Sequence, residues 1–166
     1  MAAHAAHIPE TRRRSVGVSD ALDAATYWAG IAAVYLSFGF LWFYSAKEKL
    51  FDQDGSMPAG LAKAYHGTII DTTIGINTSW LLLGVLEAVA FLVIIASLAA
   101  GEFMPTRGKP VLLAGLAISM FTFAVMTFGQ NVIGNFEGVA SLFTYMGVTG
   151  VVYAVIRYWL PTRSRS

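Results

Sequence analysis

The sequence predicts an all-α membrane protein, an antiparallel four-helix transmembrane bundle with both termini in the cytoplasm. Three observations predict it. Only 13% of the 166 residues are charged and 56% are hydrophobic, whereas a soluble domain carries about 25% charged residues. The charges cluster between long apolar runs, as they do when the runs are solvated by lipid. Four of those runs reach the roughly 20 apolar residues needed to cross a hydrocarbon core of about 30 Å.

The first run, YWAGIAAVYLSFGFLWFYS, covers residues 27–45, and an outer loop covers 46–77. The second covers 78–100, the third 111–133 and the fourth 139–160. Residues 1–26 and 161–166 read as cytoplasmic tails, mobile over about the first 20 residues. GEFMPTRGKP (101–110) has two prolines and two glycines between spans, the composition of a tight helix–helix turn. GNFEG (134–138) is shorter still. The outer loop is longer than ordinary bundle loops, and such loops are often functional. Within it, Leu61, Tyr65, Ile69 and Ile70 are spaced for a short amphipathic helix over about 59–70 on the membrane surface. A solvated loop with one helical turn fits the same residues equally well.

Orientation follows from Lys and Arg. One side holds Arg12, Arg13, Arg14, Arg107, Lys109, Arg157, Arg163 and Arg165, and the other only Lys47, Lys49 and Lys63. The richer side is cytoplasmic. TRRRSVGV before an apolar run has the look of a twin-arginine export signal. The run that follows is long and aromatic-rich and lacks a small-residue cleavage site, so the arginines read as a cytoplasmic anchor.

Lipid supplies no hydrophobic drive between helices, so membrane helices pack through small residues. Each span offers such residues: Ala29, Ala33 and Ser37; Gly84 and Ala88; Gly115 and Ser119; Gly150 and Ala154. Trp42, Phe43, Tyr44 and Trp80 at the outer level, with Tyr27, Trp28, Tyr158 and Trp159 at the inner, form aromatic belts. A ring-stacking ligand site is the sharper reading of the same rings.

One acid interrupts LLLGVLEAVAFLVII. Glu87 lies about ten residues, roughly 15 Å, inside its span, near the midplane. A charge there costs several kcal/mol, so it must face the helices. Depth matching brings Tyr35, Thr122, Tyr145 and Thr149 to its level, with Tyr153 about one turn away. Arg157 lies roughly 12 Å deeper and snorkels to the cytoplasmic surface. A neutral, hydrogen-bonded carboxylic acid is therefore expected. It serves either as polar glue between helices or as a proton carrier or anchor for a lipid-like ligand such as a quinone. His66, Asp71, Asn77, Gln130 and Asn131 line an outer vestibule on one reading and cap helix ends on another.

The function classes excluded are several. With no cysteine there is no disulfide, thiolate metal site or iron–sulfur cluster. No histidine falls in a span, which excludes a bis-histidine membrane haem. His4 and His7 alone make a weak metal signal, and no metal site is expected. A net charge of +1 points to no nucleic acid. No nucleotide, nucleophile or phosphate-loop motif is present.

Two stretches resemble the DoxX family. SFGFLWFYSAKEKLFD looks like its glycine-containing first helix ending in a Lys-Leu pair, here Lys49 and Leu50. LLLGVLEAVAFLVIIASLAAGEFMPTR looks like its second span, with Glu87 as the acid and Gly101, Thr106 and Arg107 as the turn. Ala88 and Ala90 stand where the family has glycines, which makes this a divergent relative over about 27–160. The resemblance implies a multi-pass protein of the bacterial plasma membrane, in a group linked to quinone-coupled sulfur oxidation and oxidative-stress complexes. The implied role is a redox-associated subunit near the quinone pool or beside an oxidoreductase. The chain itself offers no cofactor ligands, so quinone or lipid would be the bound group and a membrane protein the partner. A non-catalytic assembly subunit and a small proton-linked carrier are the alternatives.

Overall fold

The structure, a computed structural model, describes residues 10–160. Every regular element among them is helical. Helix α1 (Glu10–Lys47) runs into a π-helical turn at Glu48–Asp52. Two short helices follow, α2 (Ala59–Tyr65) and α3 (Ile69–Thr73). Then come α4 (Ile76–Ala99), α5 (Pro110–Val132) and α6 (Phe136–Ala154), the last extended by a second π-helical turn at Val155–Trp159. Four helical segments are long and apolar enough to cross a membrane: Asp20–Asp52, Ile76–Ala99, Pro110–Val132 and Phe136–Tyr158. The chain is thus a multi-pass membrane protein by the length and composition of its helices.

The first helix starts much earlier than the expected span at Tyr27. The expected tail over 1–26 is helical from Glu10 onward. The stretch SDALDAAT carries no proline or glycine and is rich in alanine, so nothing in it stops a helix begun upstream. Residues 1–9, with His4 and His7, and 161–166 lie outside the described residues. The chain divides into two units, 1–33 and 34–166. In the first, the Tyr27 and Trp28 rings meet edge to face at 5.6 Å. Everything below concerns the second.

The spanning helices are apolar on the outside, and their buried faces mix small and polar residues with apolar ones such as Ile94, Leu112, Leu116 and Phe123. Gly84, Glu87, Ala90 and Ser97 of α4, Gly115, Ser119 and Thr122 of α5, and Thr149 of α6 are buried. Leu82, Leu92, Phe121, Phe128, Phe143 and Val151 are exposed. Exposed apolar side chains suit acyl chains, and small buried residues let backbones approach. A Cβ on Gly115 would lie 2.8 Å from Ile94 Cγ1, so only glycine permits the observed approach of α5 to α4. Along α1 and α4 the partners run in opposite chain order. Tyr35 meets Ser97, with their hydroxyl oxygens 3.0 Å apart. Phe43 meets Phe91 at 5.4 Å between ring centres, and Lys49, just past α1, meets Glu87. Trp42, almost fully buried, tilts against Phe123 and donates its indole N–H to Ser119 Oγ at 2.7 Å. Ser119 in turn donates to the Gly115 carbonyl.

The turn between α4 and α5 is built by two rules at once. Gly101 takes φ +71°, and the amides of Gly101 and Glu102 bond back to the carbonyls of Leu98 and Ser97, closing α4 with a Schellman motif. That motif delivers Glu102 to the start of α5, where its two oxygens accept from Val111 N (3.0 Å) and Leu112 N (2.7 Å). Pro110 opens the helix and has no N–H to satisfy. The buried Lys109 ammonium donates to the carbonyls of Met104 and Arg107, and burial pushes its pKa down.

The outer loop also differs from expectation. The amphipathic stretch is two helices, broken at Gly67 with φ +78°. Of its apolar residues Ile69 is exposed, and the others pack against protein. Tyr65, Ile70 and Ile76 are buried together, with Met57, Leu61, Ala62, Val132 and Ile133 against them. A Cβ on Gly129 would lie 3.0 Å from the Tyr65 hydroxyl, so the loop folds tightly onto the end of α5. Amphipathic spacing specifies an apolar face but not what covers it; here protein covers all of it but Ile69.

Candidate functional site

Glu87 is fully buried on α4, and its partner is a base. Lys49 Nζ lies 3.1 Å from Glu87 Oε1, with both side chains removed from solvent. The contact is an ion pair without hydrogen-bond angles, and neither Glu87 oxygen accepts a hydrogen bond. Lys49 directs its N–H groups to Ser45 Oγ at 2.9 Å and, weakly, to the Ser45 carbonyl at 3.5 Å. The Trp80 ring centre lies 4.7 Å from Nζ.

Three local features place these groups. The π-helical turn at Glu48–Asp52 widens the backbone just where Lys49 must turn inward; such turns often mark functional positions. Side chains on a helix lean toward its N-terminus, so Lys49 reaches back along its own helix to Ser45, one turn earlier. Gly84 removes the obstacle between the elements: a Cβ there would lie 2.9 Å from Lys49 Cβ and 3.0 Å from Leu50 Cδ2. Trp80, Gly84, Glu87 and Phe91 share one face of α4 by their spacing. Trp80 is held by its indole N–H, which donates to Gln53 Oε1 at 3.0 Å, while Gln53 Nε2 donates to Glu48 Oε1 at 2.9 Å.

Two charges buried together are costly unless paired, and removing one partner from such a pair typically costs about 3–5 kcal/mol. The Trp80 face adds cation–π attraction, worth up to about 2 kcal/mol when desolvated. The site is therefore a net-neutral pair with acceptor capacity left on the carboxylate.

Compared with known proteins, the chain matches no protein-family model, no curated protein and no solved structure.

None of the four hydroxyls predicted to bond Glu87 does so. Thr122 donates to the Ile118 carbonyl and Thr149 to the Tyr145 carbonyl, each within its own helix. Tyr35 adjoins Ser97, and Tyr145 is exposed with its ring 5.9 Å from Phe123. The expectation of a hydroxyl-bonded acid is thus corrected to an acid beside lysine. Depth counting assigned each charge to the level of its own backbone. Lys49 carries its charge a turn away, at the end of a long stem.

The predicted vestibule residues each bond locally. His66 Nδ1 lies 3.4 Å from Asp71 Oδ2, which also accepts the Gly67 N–H at 3.0 Å. That N–H and the neighbouring His66 hold the Asp71 carboxyl below its ordinary pKa. Asn77 Oδ1 accepts from Met57 N, Gln130 Oε1 accepts from Asn135 Nδ2, and Asn131 donates to the Thr127 carbonyl. Of the turn positions, Gly101 closes α4, and Arg107 Nη1 lies 3.5 Å from the Ala100 carbonyl. Among the described residues no three His, Asp or Glu side chains converge on a metal position. Ser45 and Glu102 escaped the sequence reading as site or capping residues, and Trp80 entered it only as a belt or ring-stacking residue, not as a neighbour of this pair. The usable signals were Ser45 four residues before Lys49, Trp80 seven before Glu87, and an acid directly after the helix-ending glycine.

Proposed function

We propose that the protein is a DoxX-like subunit of the bacterial plasma membrane that works beside the quinone pool or a membrane-bound oxidoreductase, with Lys49–Glu87 as its working site. The observation that carries this reading is the fully buried Glu87 carboxylate, paired with Lys49 yet without a hydrogen bond to either oxygen. An acid kept only as glue between helices is expected to have its lone pairs filled, because unfilled buried acceptors cost about 1–3 kcal/mol each. Here acceptor capacity is retained inside the membrane, where an ionisable residue is a functional candidate by default.

The two stretches that carry the resemblance lie side by side. Lys49 and Leu50, the paired positions of the first stretch, pack against Gly84, one turn from the acid of the second. In our reading the spans form an antiparallel bundle, supported by the opposed order of the α1–α4 contacts. Both termini are cytoplasmic, supported by the distribution of Lys and Arg. A second reading, a non-catalytic assembly subunit, is favoured by α6, whose lipid-level face exposes Phe143, Val148 and Val151.

The test is mild purification followed by lipid extraction and identification of co-purifying proteins. A bound quinone or a redox partner is expected. Absence of both would contradict the redox reading. If a multiprotein complex is recovered intact from cells carrying Glu87→Gln with its activity unchanged, the assembly reading replaces it.

A further inference from the structure

We propose that Glu87 is the acceptor for an uncharged hydroxyl donor carried on an apolar body, and that the Lys49–Glu87 pair rejects acceptor-only and anionic ligands. This rests on reading the pair as a ligand site and deepens it by naming the ligand's chemistry.

The selection follows from which valences are used. An ammonium has three N–H groups. In Lys49 they face Ser45 Oγ, the Ser45 carbonyl and Glu87 Oε1, with the Trp80 ring on a further side. A carbonyl or ether arriving here finds no free donor. A carboxylate has about four lone-pair positions; at Glu87 the Lys49 ammonium and the Ser45 hydroxyl are the neighbouring donors, and no contact to either oxygen has hydrogen-bond angles. The Ser45 hydroxyl accepts from Lys49 and keeps one O–H, for which the adjoining carboxylate is the acceptor, so Lys49 and Ser45 together take at most two of the positions. A donor therefore completes the site. An anion would meet Glu87, with Glu48 the other acid close enough to act on it, against a single lysine already neutralised.

The surroundings specify the rest of the ligand. Trp80 and Phe91 flank Glu87 on the same face of α4, one turn beyond it on one side and two turns on the other. Phe91 packs on Phe43, which is 40% exposed on the lipid-level surface. A ligand entering from this side would pass the Phe43 and Phe91 rings before the fully buried carboxylate. An apolar or aromatic body bearing a hydroxyl fits that order. The dihydroxy form of a quinone belongs to this class; the oxidised form, with only carbonyl acceptors, does not.

The probes are 4-octylphenol and 4-octylanisole, which share an apolar body and differ in the hydroxyl donor. Binding to the full chain in lipid nanodiscs should favour the phenol by roughly tenfold or more, the advantage of a hydrogen bond to an ionised acceptor. Because Glu87→Leu alone strands Lys49, the comparison uses the charge-free double variant Lys49→Met/Glu87→Leu. In it the two affinities should fall within about twofold of each other. In the unaltered chain, carbon-13-edited infrared spectra should show a glutamate carboxylate band moving with the phenol and not the anisole. Equal affinities, binding of neither probe, or a preference kept by the double variant would overturn the proposal. Phenol preference in a protein that co-purifies with neither quinone nor redox partner would retire the redox reading and leave this one standing.

Discussion

Trp42 and Glu87 show two ways a membrane interior holds a polar atom. Trp42 is saturated: its single N–H reaches Ser119, and Ser119 passes its own proton to a carbonyl. Trp42→Phe keeps a ring against Phe123 and deletes one buried hydrogen bond, so we expect a loss of about 1–3 kcal/mol in detergent unfolding. Glu87 is paired with Lys49, and neither of its oxygens has a contact with hydrogen-bond angles. Asp71, outside the spans, is a third case. Its folded pKa is lowered by the Gly67 N–H and then by His66. A depressed carboxylate stabilises the fold above its unfolded pKa, and that contribution is lost as pH falls through the folded pKa. Protection of the Gly67 amide in hydrogen exchange should therefore drop below the ordinary carboxylate range. Asp71→Asn should flatten that dependence.

At the scale of elements, the turns do as much as the spans. Glu102 satisfies two of the N–H groups that open α5, from a position set by the glycine that closes α4. Glu102→Ala should cost about 1–2 kcal/mol, the range for a lost helix cap, and should raise exchange at the Val111 and Leu112 amides while leaving α4 protected. Gly84 has the opposite duty, since it works by lacking a side chain. Gly84→Val would drive its methyls into Lys49 and Leu50 and move the π-helical turn off α4. The expected readout is exposure of Lys49 to amine-reactive labelling at a rate approaching that of the already exposed Lys47. The sequence made the spans legible because bilayer thickness fixes their length. It left the Glu102 cap hidden because the cap depends on two helix ends meeting. It also left open whether lipid or protein covers Leu61, Tyr65 and Ile70.

Across the unit 34–166, apolar side chains line the outside, and glycine, serine, threonine and the Lys49–Glu87 pair are buried among Trp42, Ile94, Leu112 and Leu116. Composition alone made the apolar exterior readable. The pairing inside it was not readable from depth. Glu87 and Lys49 are separated along the chain by the entire outer loop, and counting residues from each membrane edge ignores where a lysine stem points. The matched stretches singled out both residues without linking them. Their contact is the central claim, and a double-mutant cycle tests it most directly. Lys49→Met, Glu87→Leu and the double variant would be unfolded from mixed micelles by added dodecyl sulfate. A buried ion pair predicts that each single variant is destabilised by about 3–5 kcal/mol, and that the double variant is more stable than the two losses added together by well over 1 kcal/mol. Additive losses would show that the two side chains do not interact, and would contradict the account.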